Sequence, residues 1–240
     1  MGIMFPQEPL YLPNMTMCSI RPLIAFVSFF GVASGFAQDV GYWQSQAALN
    51  YRLTENYSHN FSIENRNFIL KDEEVVLEAR QVDLNHFSAL SIGNGQSLAL
   101  GAKYRFREAF DGGDNELRFT QQYNMANRKH VMRFGHRVRS EQRIFNDRTV
   151  HRFRYRFAVD FPLQGEKLNI GEAYFVANTE SLLSVASSSK PQFDQRWVAQ
   201  IGWLLTEKAK LQIGLEYRFE DYAQETEEVI FLLSSLIFSL

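Results

Sequence analysis

The pattern with the clearest catalytic potential is His86-Phe87-Ser88. In a β-strand, residues i and i+2 share a face, so the His86 imidazole could take the proton of the Ser88 hydroxyl and make it a nucleophile. The sequence places no orienting acid beside the pair, and two polar residues at a strand end are the simpler interpretation. Catalysis by Ser88 and His86 is therefore kept as an alternative hypothesis.

The other reactive side chains lie apart from one another. No two of the 5 histidines are at a spacing typical of metal ligands. The chain has no G-x-S-x-G motif and no glycine-rich phosphate loop in front of a helix. Cys18 is the only cysteine, so no thiolate metal site is expected. We therefore predict neither a metal nor a cofactor, and we lean towards a protein that is not an enzyme.

Arginine is the other residue type that stands out, and residues 130–161 hold it at alternate positions. Successive residues of a strand point to opposite faces, so this stretch predicts two strands, each with one arginine-rich and one apolar face. Asn146-Asp147 predicts a tight turn between them. The arginine-rich face holds Arg133, Arg137, Arg139, Glu141, Arg143, Arg152, Arg154 and Arg156, and the apolar face holds Met132, Phe134, His136, Val138, Phe153, Tyr155, Phe157 and Val159.

The same alternation, interrupted by turn residues, runs through residues 42–240. It predicts about eleven strands of roughly 10–14 residues, the length that a tilted strand needs to cross a bilayer. The predicted fold is an all-β, antiparallel up-and-down transmembrane barrel of about 10–12 strands. Ten or twelve are expected, because bacterial single-chain barrels have even strand numbers. The alternation slips near Gln81, which predicts a bulge, and Gly93-Asn94-Gly95 predicts a hairpin.

The predicted connections alternate between short and long. The short set is 54–56, 93–95, 127–129, 162–167 and 206–208, and the long set is 71–74, 111–114, 146–148, 179–192 and 222–227. The serine-rich stretch 179–192 is predicted to be the longest connection. Short periplasmic turns and longer outer loops are the rule in outer-membrane barrels, so Leu240 is expected at the periplasmic end.

The arginines are expected to face the barrel interior. After residue 37 the chain has 17 arginines and 7 lysines, with most arginines in predicted strands and most lysines in turns. An arginine at the lipid-facing midplane costs about 2–4 kcal/mol, which disfavours the outer face. Inside, arginines need carboxylates, which their planar fork binds through two hydrogen bonds. The predicted lumen charge network is Glu64, Arg66, Arg105, Arg107, Glu116, Arg118, Arg133, Arg137, Arg139, Glu141, Arg143, Arg152, Arg154, Arg156, Asp194, Arg196, Glu216 and Arg218.

Three interpretations of this network remain open. A salt-bridge network could fill a narrow lumen, since barrels of about eight strands are filled by side chains. A narrow passage with a positive wall would instead prefer anions, which makes a small anionic solute a candidate partner. Soluble nucleic-acid binding, with arginines alternating with aromatic residues, is disfavoured by the net charge of −2, and no nucleic acid is expected as a partner.

The N-terminal residues predict a secretory signal peptide over residues 1–37. Arg21 supplies the positive region, residues 22–32 are an apolar run too short to span a bilayer as a helix, and Gly35-Phe36-Ala37 is a cleavage site. A buried core helix is the weaker alternative. Residues 1–16 are interpreted as an extension outside the native start. We therefore expect export by the Sec pathway, cleavage after Ala37, and a barrel domain over residues 38–240 in the Gram-negative outer membrane.

The C-terminal residues agree with this location. Apolar residues occupy alternate positions up to the last one, namely Ile230, Leu232, Leu236, Phe238 and Leu240. The last strand of outer-membrane barrels resembles this pattern, because their assembly machinery recognises a terminal strand rich in apolar and aromatic residues. The expected partners are thus outer-membrane lipid and, during biogenesis, the barrel-assembly and periplasmic chaperone machinery.

The order of several motifs resembles a known family. Trp43 is followed by Glu-Leu-Arg at 116–118, R-x-R-x-E-x-R at 137–143, R-x-R-Y-R at 152–156, Gly-Glu-Ala-Tyr-Phe at 171–175 and Phe-Asp-Gln-Arg at 193–196. This is similar to the domain of unknown function 2490 family, common in Bacteroidetes and other Gram-negative bacteria. The resemblance implies an outer-membrane, porin-like barrel of uncharacterised function. No catalytic residues carry over, because none are established for the family. The His-x-Ser pair separately resembles that of outer-membrane enzymes that deacylate lipid A, which makes a lipid-modifying hydrolase the alternative function.

Overall fold

The computed structural model describes residues 40–71, 74–187 and 189–240. These residues form eleven β-strands and one short helix, and the strands carry the alternation that the sequence predicts. The elements are β1 (Val40–Arg52), β2 (Tyr57–Lys71), β3 (Glu74–Gly93), β4 (Gln96–Phe106), α1 (Glu108–Asp111), β5 (Glu116–Lys129), β6 (Met132–Ile144), β7 (Thr149–Pro162), β8 (Ala173–Ala186), β9 (Ser189–Thr206), β10 (Ala209–Glu220) and β11 (Glu227–Ser239). The predicted signal peptide lies outside the described residues.

The strands close into a single barrel, which confirms the predicted fold class. Each strand pairs antiparallel with its sequence neighbours, and β1 closes the barrel on β11. The expectation of ten or twelve strands is wrong, because the described residues contain eleven. An odd number of up-and-down strands leaves the first and last running in the same direction, so β1 and β11 pair in parallel, from Gly41 with Ile230 to Asn50 with Ser239. Val40 and Leu240 therefore lie at opposite ends, called here the Val40 mouth and the Leu240 mouth.

Loop length does not separate the two mouths as predicted. The Leu240 mouth carries the connections 53–56, 94–95, 130–131, 163–172 and 207–208, and the stretch 163–172 is long. The predicted long connection 179–192 is wrong, because β8 and β9 pair through this stretch up to Ala186 and Ser189. Each face of β8 carries both polar and apolar residues here, because Leu182 and Ser184 lie on the buried face and Ser181 and Leu183 on the other. The predicted turn at 127–129 is also wrong, since β5 continues to Lys129.

Two local predictions are confirmed. Between β2 and β3 the register shifts so that Arg66 pairs with Gln81 and Asn67 with Ala79, which leaves Arg80 as the extra residue of a bulge. In the β3–β4 hairpin, Asn94 and Gly95 both have positive φ values, 51° and 71°. Positive φ at both central positions is the geometry of a type I′ turn, which suits the twist of paired strands.

The two faces of the wall differ sharply in polarity. Large apolar side chains lie exposed on the outside, including Leu100, Val138, Phe153, Trp197 and Leu215. Most of the fully buried side chains of the wall are polar or charged. This is the inverse of a water-soluble domain, in which apolar residues are buried and charges are exposed. Among the residues that the structure describes, no helix has the length and apolar character needed to cross a membrane.

Candidate functional site

The interior of the barrel is built around buried carboxylates. Asp83 on β3, Glu116 on β5 and Glu141 on β6 are each only 1% exposed. Strand alternation turns them inward, together with the arginines two residues from Glu116 and Glu141, namely Arg118, Arg139 and Arg143. A buried carboxylate is stable only if it is paired and hydrogen-bonded, so its surroundings must supply several donors.

These acids and their partners form one continuous chain of ion pairs across seven strands, from β2 to β8. Acidic and basic side chains alternate along it, and each neighbouring pair lies between 2.5 and 3.4 Å apart. The chain runs Glu64, Lys103, Asp83, Arg105, Glu116, Arg118, Glu141, Arg154 and Glu180. The Glu116–Arg118 link lies within β5, and every other link joins neighbouring or next-neighbouring strands, so the chain ties their registers together.

Glu116 is the most connected acid. Arg143 donates two parallel hydrogen bonds to its carboxylate, at 2.8 and 2.9 Å. Arg118 donates from Nε at 2.8 Å, and Arg105 approaches from the other side at 3.4 Å. Bidentate arginine–carboxylate pairs are the strongest ion-pair geometry in proteins, so Glu116 fixes three strands to one another.

The remaining wall carries shorter clusters. Glu216 and Arg218 on β10 pair at 2.7 Å, and Asp194 and Arg196 on β9 pair at 3.7 Å. Arg139 on β6 donates to the Gln122 side chain at 2.9 Å and lies 3.4 Å from Glu141.

Four interior arginines have no carboxylate ion pair within the described residues: Arg66, Arg137, Arg152 and Arg156. Arg66 donates to the Gln44 side chain at 2.9 Å and lies 4.8 Å from the Phe231 ring centre. Arg137 donates to Asn124 and Arg152 to Ser184, both at 2.8 Å. The cationic side chains of the interior thus outnumber the acidic ones.

Two predicted members of the lumen network lie at the mouths instead. At the Leu240 mouth, Arg133 is largely exposed and pairs with Asp160 at 2.9 Å. At the Val40 mouth, Arg107 precedes α1 and pairs with Asp111 at 2.6 Å. Both follow the inward alternation of their strands, but their positions near strand ends place the guanidinium groups beside water.

The Val40 mouth holds an open cavity of about 670 Å³ between β1, β2, β3 and α1. Asp111 bridges Arg107 and Arg80, so α1 is tied to β3 across the cavity. Partial burial would raise the pKa of the Asp111 carboxyl, but hydrogen bonds from Arg107 and from the Gly113 amide outweigh it and lower the pKa below its ordinary 3.8.

Interior packing at the β1–β11 seam is apolar. Tyr42, Val229, Phe231 and Leu233 form a buried cluster there. The rings of Tyr42 and Phe231 stack with centroids 4.9 Å apart. The Arg218 guanidinium lies 3.7 Å from the centre of the Phe231 ring, so the charge network continues onto the seam through cation–π contacts.

His86 and Ser88 lie on the outer face of β3, the face that exposes Leu84 and Leu90. The structure does not bring them together, since the Ser88 hydroxyl is 2.5 Å from the Tyr57 hydroxyl and His86 Nε2 is 3.0 Å from His59 Nδ1. Nucleophilic activation requires a hydrogen bond between the serine and its base, and none links Ser88 to His86 among the described residues. The described residues also contain no group of three or more His, Cys, Asp or Glu side chains able to hold a metal ion.

Sequence reasoning missed three members of the ion-pair chain: Asp83, Lys103 and Glu180. The bulge at Arg80 obscured the alternation of β3, although Asp83 and Asn85 alternate with Leu84 and His86 beyond it. Lys103 is at an alternate position with Arg105 and Arg107, so the same period-two alternation places it on the inward face. Glu180 fell in a stretch interpreted as a loop.

Comparisons with known proteins give one family match. The model of the family described as "Protein of unknown function (DUF2490)" matches residues 40–228. No curated protein matches. Among solved structures, an anion-selective porin from Comamonas acidovorans is similar with a TM-score of 0.37 at 10% identity, over 79% of this chain and 54% of the porin chain. The chain therefore spans about half the length of that porin.

Proposed function

This chain belongs to the DUF2490 family of proteins of unknown function, and we propose that it is an outer-membrane β-barrel that serves as a structural or small-solute barrel with an Arg/Glu-lined interior. It has no catalytic role in this proposal. Export by the Sec pathway with cleavage after Ala37, contact with outer-membrane lipid, and insertion by the barrel-assembly and chaperone machinery belong to the same proposal.

The observation that carries the proposal is the polarity of the wall. Leu100 is 66% exposed, and similar side chains surround the barrel. In water this would be an apolar surface far above the few hundred Å² that soluble monomers expose. Lipid is the solvent that suits it, and a closed barrel also satisfies every backbone group that a bilayer cannot.

The width of the lumen supports a passage for small solutes at most. Eleven strands spaced about 4.8 Å apart and tilted by about 40° enclose a backbone cylinder roughly 22 Å across. Long arginine side chains project into this space from β4 to β10. In this proposal the constriction lies where the ion-pair chain crosses the lumen, at the level of Arg139 and Arg154.

Conductance in planar bilayers tests this proposal. The wild type should show only small steps, or none, together with no swelling of liposomes in sugar solutions. The double variant R139A/R154A should conduct more, because it removes side chains at the constriction. R133A, which changes an exposed arginine at the mouth, is the matched control. Large wild-type steps, like those of an open porin, would contradict the filled lumen.

The second candidate function is a lipid-modifying hydrolase that uses Ser88 and His86. Its support is the position of both side chains on the lipid-facing wall, where Tyr57 and His59 extend them into a polar cluster. In that reaction the His86 and Ser88 side chains come into hydrogen-bond contact, and the Ser88 oxygen attacks an acyl ester of a lipid while His86 takes the hydroxyl proton. The ester bond to the lipid alcohol breaks, and the alcohol leaves with that proton. Water then hydrolyses the acyl–Ser88 ester and releases the fatty acid. Lipid A mass spectra of the wild type, a deletion strain and S88A test it, with S140A as an outer-face serine control. Identical spectra in all four strains would remove this candidate.

A further inference from the structure

The barrel interior contains one inward row in which positive charge is not balanced. The register aligns Asn124, Arg137, Arg156, Glu180, Arg196 and Arg218 across neighbouring strands β5 to β10. Four arginines thus share the row with a single acid. Like charges directly opposite each other on a sheet are destabilising unless something lies between them.

Two of the four arginines of this row have an acidic partner on their own strand. Arg196 pairs with Asp194, and Arg218 pairs with Glu216. Glu180, the register neighbour of Arg156, gives its hydrogen bond to Arg154 instead. The imbalance is therefore confined to the neighbouring pair Arg137 and Arg156.

Arg137 and Arg156 differ from the other two interior arginines that lack a carboxylate. Arg66 is placed over the Phe231 ring. Arg152 has no arginine opposite it in the register, because its two cross-strand neighbours are Glu141 and Ser184. Arg137 faces Arg156 itself, and its Nε donates only to the neutral side chain of Asn124. Nearby, the Nε groups of Arg154 and Arg196 are buried donors without an acceptor among the described residues.

We propose that a small oxyanion of the phosphate or sulfate class binds in the lumen between the guanidinium groups of Arg137 and Arg156. Each planar guanidinium group can donate two parallel N–H hydrogen bonds to two oxygens of one anion. A halide ion has a single atom and cannot accept such a pair of bonds at two separate positions. The inference rests on the proposed function, because it makes the lumen the working part of the barrel and names what enters it.

Thermal unfolding of the purified full chain in detergent tests the site. Sodium phosphate and sodium sulfate are titrated against sodium chloride at equal ionic strength, because screening alone changes charge interactions. Above the dissociation constant, each tenfold rise in phosphate or sulfate should raise the unfolding midpoint of the wild type by about 3–5 °C. Chloride should leave the midpoint nearly unchanged.

The variants distinguish a discrete site from general charge. R156Q should lose the phosphate effect and, in chloride, unfold at the wild-type midpoint or above it, because it relieves the repulsion with Arg137. R152Q, which changes an interior arginine four residues away on the same strand, should keep the phosphate effect. Loss of the effect in R152Q as well, or its retention in R156Q, would overturn the proposal. R137Q repeats the test if R156Q does not fold.

Binding and conductance can fail separately. If phosphate raises the unfolding midpoint but the barrel never conducts, the binding site is supported and the solute passage is refuted. If the barrel conducts but phosphate and sulfate leave the unfolding midpoint unchanged, the solute passage is supported and the binding site is refuted.

Discussion

The substitution E116Q should be among the most destabilising single changes in the barrel. Glutamine keeps the shape of the side chain but removes the charge that three arginines share. Arg118 and Arg143 are themselves largely buried, with side chains 7% and 15% exposed, so water cannot replace the lost carboxylate. The perturbation therefore leaves cations without a counter-charge in the interior.

The expected cost follows from that burial. Removal of one partner from a buried ion pair costs about 3–5 kcal/mol, because the other charge stays behind unpaired. Domains are stabilised by about 5–15 kcal/mol, so E116Q should remove a large share of the total. The matched control is E78Q, whose pair with Lys71 is 3.3 Å long and mostly exposed. Exposed pairs contribute about 0–1 kcal/mol, and the control should lie in that range.

Reversible urea unfolding in detergent micelles, followed by far-ultraviolet circular dichroism, gives both free energies of unfolding. The double variant E116Q/R143Q should cost less than the sum of E116Q and R143Q, because removing both members leaves fewer unpaired charges. Equal effects of E116Q and E78Q, or additive effects in the double variant, would refute the view that buried ion pairs hold the strands in register.

Three further predictions concern the wall and the mouth. L100R should cost about 2–4 kcal/mol in the unfolding free energy measured in lipid vesicles, while L163R in a connection should cost nothing measurable; equal costs would argue against a lipid-facing wall. G202A should cost about 1–3 kcal/mol by urea unfolding, because the new methyl group would lie 2.3 Å from an aromatic carbon, whereas G135A, with its nearest neighbour at 4.0 Å, should be neutral. The Asp111 carboxyl has a lowered pKa in the folded protein, so its contribution to stability is complete above pH 3.8 and is lost as the pH falls through that lowered pKa. A spin label in the α1 connection should become mobile in that acidic range. In D111N the label should be mobile already at pH 7.

The strands and their faces could be predicted from the sequence because period-two alternation is a local signal. The prediction for residues 97–107 agrees closely with β4, Gln96–Phe106. The alternation likewise places the arginines of β6 and β7 on one face without any knowledge of the register. Exposed apolar side chains on one face and buried charged side chains on the other make the alternation unusually strong.

The strand number and the ion-pair partners could not be predicted, because both depend on contacts between distant residues. Whether β1 meets β11 in parallel is decided only when the barrel closes. The pair Lys103 and Glu64 spans β3, so it depends on the stagger of three strands. Residues 179–192 show the same limit, because a serine-rich stretch becomes strand only when neighbours on both sides accept its backbone hydrogen bonds.

The seam uses a different kind of interaction from the rest of the wall, and the order of closure explains why this is suitable. β1 and β11 are distant in sequence, so their contact carries the largest loss of chain entropy and forms after the local hairpins. Bidentate ion pairs require an accurate register before they contribute, whereas apolar contacts are non-directional and stabilise a range of approaches. The cluster of Tyr42, Phe231 and Leu233 can therefore hold the parallel seam while its ladder forms. Arg218 then lies over the Phe231 ring and joins the closed seam to the charged interior.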